Sequence, residues 1–128
     1  MRALAILAPL ACAISAGCSQ GPQAPTTPGV CWHLAEANGQ ARFNPLASNI
    51  PDLEHCAAQL EAMRVRFAAL GLPEATVTGA YQGQFLFIDQ NGVFTAQTYD
   101  GFRYPFLVRT GDGRLAVPGA MPQQNTGG

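Results

Sequence analysis

Lysine is missing altogether from this 128-residue chain, histidine occurs only twice and tryptophan once. Without lysine there is no amine nucleophile for Schiff-base chemistry and no lysine to close a phosphate-cradling loop. With two histidines, few side chains are suited to general acid–base work near neutral pH. Past the first 17 residues, six arginines stand against eight carboxylates, a formal charge of −2 with no basic run. That excludes the electrostatic footprint of a nucleic-acid-binding protein and a polybasic route to anionic lipid. No apolar run approaches the roughly 20 residues needed to cross a bilayer as a helix. Glycine-rich phosphate loops, a nucleophile-elbow serine, zinc-protease histidine spacing and Cys-x-x-Cys are also missing.

What is present begins with a leader. Met1-Arg2 is followed by an almost wholly apolar stretch, Ala3 to Ala16, interrupted only by Pro9 and Ser15. A charged start, a short apolar core and small residues at its end are the parts of a secretory signal. Ser15-Ala16-Gly17-Cys18 resembles the lipobox of bacterial lipoprotein precursors, with Ser15 where that motif usually has Leu. The resemblance implies a signal peptide over residues 1–17, cleavage before Cys18, and lipid (palmitate among it) on the Cys18 sulfur and the new amino terminus. The alternative is an ordinary signal cleaved after the small-x-small run Ala11-Cys12-Ala13, which would release a soluble protein. Ser19, standing where an Asp favours inner-membrane retention in this class, implies the outer membrane, facing the periplasm.

Residues 18–29 comprise this cysteine and a segment with three prolines and two glycines but no large apolar residue, which reads as an extended linker. Fully free, it lifts the following domain about 30 Å from the membrane. Residues 119–128 have similar composition, and no fixed structure is expected there. Residues 30–118 remain as one domain.

In that domain, Asn38-Gly39 between short apolar runs suggests a hairpin. Leu53, Cys56, Ala57, Leu60, Met63, Phe67 and Leu70 recur at three- and four-residue steps, the signature of an amphipathic helix of about 20 residues. Pro51 suits its first position, and Gly71 with Pro73 its end. From Val77 to Val117 the chain is rich in Phe, Tyr, Val and Thr and punctuated by Asn91-Gly92, Asp100-Gly101 and Gly111-Asp112-Gly113. This spacing predicts an antiparallel meander, with Gly83 marking either a turn or a bulge. The expected fold is α+β: one amphipathic helix packed on a four- or five-stranded antiparallel meander.

With Cys12 in the leader and Cys18 taken by lipid, Cys31 and Cys56 remain. Outside the cytoplasm they are expected to form a disulfide. A rival grouping, Cys31 and His33 with His55 and Cys56, offers zinc two thiolates and two imidazoles. Adjacent residues on a helix point about 100° apart, however, so His55 and Cys56 are poorly placed to share an ion, and neither metal nor cofactor is expected. Asp89, Asp100 and Asp112 sit at turns that alternate between the two ends of a meander, so the three cannot converge.

The aromatic strands leave Tyr81, Tyr99 and Tyr104, with Asp100, as a candidate binding surface, since tyrosine joins an apolar ring to a hydroxyl. The sequence therefore reads as a lipid-anchored envelope protein without catalytic residues, a binding or accessory module for an envelope protein or the cell wall. The alternative is a small periplasmic inhibitor or binding protein directed at an envelope hydrolase, presenting the Tyr99-Asp100-Gly101 turn.

Overall fold

The computed structural model describes residues 21–72 and 76–118. Cys18, the rest of the leader and residues 119–128 lie outside the described residues.

The fold is α+β, one helix against one antiparallel sheet. The strands are β1 (Cys31–Ala37), β2 (Gln40–Ala47), β3 (Thr76–Tyr81), β4 (Gln84–Asp89), β5 (Gly92–Ala96), β6 (Tyr104–Arg109) and β7 (Leu115–Ala116), with α1 (Leu53–Ala69) between β2 and β3. Their order across the sheet is β2-β1-β3-β4-β5-β6-β7. Seven strands replace the expected four or five for two reasons. Gln82 and Gly83 both take positive φ, 44° and 86°, and make a tight turn that splits one aromatic run into β3 and β4. The Asn38-Gly39 hairpin also joins the same sheet, because β1 pairs with β3 through Cys31–Tyr81, Trp32–Ala80 and His33–Gly79. Only β3 to β7 form a meander; α1 carries the chain over β1 from one side of it to the other.

Asp52 caps α1, its carboxylate accepting from the His55 backbone N–H at 2.8 Å. The cap is thus Asp52, and Pro51 precedes it instead of opening the helix. At the far end Gly71 has φ 75°, and the Gly71 and Leu72 N–H groups close onto Ala68 and Phe67 carbonyls. Cys56, Ala57 and Leu60 are fully buried, Phe67 half-buried against the His33 ring, and Leu70, expected on the apolar face, is exposed. The helix ends too soon for Leu70 to reach the sheet.

Strand alternation sends Val77, Tyr81, Leu86, Ile88, Val93 and Leu107 toward α1. Phe85, Phe87, Leu34 and Ala96 point away from it, yet all are buried. What covers this second face is the segment expected to hang free. Ala24 packs on the phenylalanine cluster, and the Pro25 carbonyl accepts from the Gly83 N–H at 2.8 Å. The Gly29 carbonyl accepts from the Ile50 N–H at 2.9 Å, and the Gly29 N–H donates to Gln82 Oε1 at 2.9 Å. Proline-rich chain loses little entropy on being held extended and leaves its carbonyls free for outside donors. Two bare phenylalanines supply the apolar surface that makes the contact favourable.

Cys31 and Cys56 are joined in a disulfide and fully buried, tying the first residue of β1 to the helix. Both thiols of the zinc grouping are therefore consumed. His55 is exposed with its Nδ1 2.6 Å from Asp52 Oδ1, while His33 lies against Phe67. Among the described residues no three metal-ligating side chains converge, and no helix is long and apolar enough to cross a membrane.

Candidate binding site

The second face of the sheet holds a groove of about 430 Å³. Its floor and one side come from strand residues that share a face by period two: Leu34 and Glu36 of β1, Thr76 and Thr78 of β3, and Phe87 of β4. Thr78 and Phe87 are directly paired across the β3–β4 ladder. The opposite wall is the connection from β5 to β6, which folds back over the sheet and delivers Tyr99 and Arg103.

That connection is held by rings. Tyr99 meets Phe85 edge-on with centroids 5.8 Å apart and Phe87 at 6.1 Å. Arg103 places its guanidinium carbon 3.6 Å from the Phe87 ring centre. A guanidinium stacked on a ring satisfies its face but leaves its in-plane N–H donors pointing outward. No carboxylate pairs with Arg103 among the described residues. The groove thus presents a fork of donors and a phenol on the connection side, with two threonine hydroxyls and the Glu36 carboxylate on the strand side. The arrangement suits recognition of a ligand that carries a carboxylate, with an amine or amide set back from it.

The four residues expected to form a binding surface do not come together. Tyr81 is buried, at 5 % exposure, under the helix layer, and its hydroxyl donates to the Ile50 carbonyl at 2.6 Å. It belongs to the core, because an inward strand position that finds an acceptor for its hydroxyl has no reason to face water. Tyr99 is half-buried on the second face, where it lines the groove. Asp100 is exposed. Tyr104 is 58 % exposed and stacks edge-on with Phe102, centroids 4.7 Å apart. Its partner across the ladder is Thr95, which in turn pairs with Leu86, so Tyr104 lies on the side away from the groove. The Tyr99-Asp100-Gly101 turn therefore presents Asp100 outward while its ring packs inward.

Sequence reasoning missed Arg103, Glu36 and the two threonines. A signal for Arg103 existed: Phe102-Arg103-Tyr104 enters a strand, so its cation must point opposite to its two rings. A polar clasp elsewhere was equally hidden. Arg109 donates to both Glu61 oxygens, at 3.1 and 2.7 Å, and also to the Asp89 and Gly113 carbonyls, while Arg64 pairs with Glu61 from the next turn of α1. Burial pushes the Glu61 carboxyl up, but the hydrogen bonds and charges of Arg109 and Arg64 outweigh it and hold the group below its ordinary range. This clasp joins helix, strand and turn and is structural. Comparison of the chain with family models, curated proteins and solved structures gave no match.

Proposed function

We propose that this chain is a lipid-anchored envelope protein, held at the outer membrane through acyl chains on Cys18. Its domain is a non-catalytic module that binds a carboxylate-bearing peptide, from the cell wall or an envelope protein, in the second-face groove. The anchor rests on the lipobox resemblance at Ser15-Ala16-Gly17-Cys18 and is consistent with a buried disulfide, a linkage proper to oxidising compartments. The binding reading rests on one observation above all: Arg103 is fixed over Phe87 at the groove with its donors unpaired by any carboxylate of the described residues. A cation so placed is pre-organised for an outside anion, and little further ordering is needed on binding.

Two measurements test the two halves. Mass spectrometry of the membrane-extracted protein is expected to show an acylated amino-terminal Cys18, and Cys18→Ala to abolish it; an unmodified terminus at Ile14 would replace this reading with a soluble periplasmic one. Titration calorimetry with solubilised cell-wall peptides and with peptides from co-purified envelope proteins is expected to give binding that Arg103→Gln weakens by about tenfold or more, the worth of one charge-assisted hydrogen bond. Equal binding by Arg103→Gln and the parent would remove the groove from the proposal.

A further inference from the structure

We propose that the exposed ring pair Phe102–Tyr104 docks on the bilayer interface, so that the domain lies against its membrane at a fixed tilt. This rests on the lipid anchor at Cys18 proposed above. The first observation is where the chain leaves the domain. Gly21 lies on the β5–β6 connection: a Cβ placed on it would sit 3.4 Å from Tyr99 Cδ1 and 3.7 Å from Asp100 Oδ2. Gly21 is three residue steps from Cys18, and an extended chain advances at most about 3.6 Å per residue, so the Cys18 backbone lies no more than about 11 Å from that of Gly21.

The second observation is what stands beside the exit. Phe102 begins two residues beyond Asp100, hence within about 8 Å Cα to Cα, and is 72 % exposed, with Tyr104 at 58 %. These are the bulkiest exposed apolar rings among the described residues, and they lie in edge contact with each other. The other exposed large apolar side chains carry no ring: Val65 lies on α1, Leu70 and Leu72 at and beyond its end, Val108 on β6 and Val117 just past β7. A phenylalanine and a tyrosine side by side suit the headgroup boundary, where a ring finds acyl carbon and a hydroxyl finds water and phosphate. The short tether makes this contact effectively intramolecular, so even a weak preference for the interface is expressed. Alternation along 102–104 turns Arg103 to the other side, which keeps the groove's cation separate from the docked rings.

The test uses the full lipidated chain with one added cysteine, Phe102→Cys, labelled with an environment-sensitive nitrobenzoxadiazole dye; Val65→Cys carries the same dye as control. Both go into phosphatidylethanolamine–phosphatidylglycerol vesicles containing a lipid with a spin-label quencher near the headgroup. Quenching several-fold stronger at 102 than at 65 is expected. In an otherwise identical chain with a long Gly-Ser insertion after Gln20, quenching at 102 should fall while co-sedimentation with vesicles is retained. If the acylated protein sediments with vesicles yet positions 102 and 65 quench alike, docking is wrong and the anchor stands. If mass spectrometry of the same sample shows Cys18 unacylated and the chain stays in the supernatant, the anchor fails and docking falls with it. Because replacing Phe102 could itself weaken docking, a second label at Gln97→Cys, earlier in the same connection with both rings intact, is expected to be quenched more strongly than at 65; equal values there also overturn the proposal.

Discussion

Arg109 on β6 and Glu61 on α1, 48 residues apart in sequence, meet side chain to side chain at 2.7 Å. With Arg64 on the other flank, this is the polar seal between the helix and the far half of the sheet. The side chains retain 14 % and 18 % of their exposure, so neither charge is fully desolvated.

Stability should therefore fall in acid. The Glu61 carboxyl sits below its ordinary value of 4.5 when folded, so its contribution is complete above about that pH and is lost as pH falls through the lower, folded value. Thermal melts in a descending pH series are expected to show this loss, and Glu61→Gln to flatten it. At neutral pH the same substitution should cost about 1–2 kcal/mol, less than breaking a fully buried pair. A Glu61→Gln curve parallel to the parent's through the acid range would show that the clasp contributes nothing.

Gly79 is the tightest point between the layers. A Cβ there would lie 2.5 Å from the Trp32 carbonyl oxygen and closer still to Leu60 Cδ1. Gly79→Ala should force the helix off the sheet, at a cost of about 2–3 kcal/mol or a melting temperature lower by roughly 10–20 °C. Gly39→Ala, with open space around it, tests turn strain alone and should cost less. Equal losses would mean the close approach is not limiting.

The disulfide closes a loop with a separation of 25 residues between β1 and α1. Chain-entropy reasoning puts its contribution at about 3.5 kcal/mol. Reduction, or Cys31→Ala with Cys56→Ala, should lower the melting temperature by roughly 15–25 °C. Non-reducing peptide mapping should recover the pair joined, and a melt insensitive to reductant would show that the two layers hold without it.

The helix, the Asn38-Gly39 hairpin, the disulfide and the strand-rich second half were legible because each leaves a local mark: a 3.6-residue period, a turn dipeptide, a cysteine count, alternating aromatics. The tether's fate was not. Ala24 and Pro25 carry no apolar pattern, and only the unhelixed face with Phe85 and Phe87 explains why they pack. The groove was hidden for a related reason. Glu36, Thr78 and Arg103 are ordinary surface residues in sequence, and their convergence depends on β1 pairing with β3 and on the β5–β6 connection folding back.

The sheet is open, with β2 and β7 at its margins. An open margin offers unpaired backbone groups to any passing strand, and a chain anchored as proposed above would meet its own copies often. Here β2 carries Pro45, which has no N–H to lend, Arg42 adds a charge, and the register shifts where β1 begins. At the other margin β7 is two residues long. Both borders are thus poor templates for strand addition. Strand addition at either margin is therefore disfavoured, for a ligand strand as for a neighbouring copy of the chain.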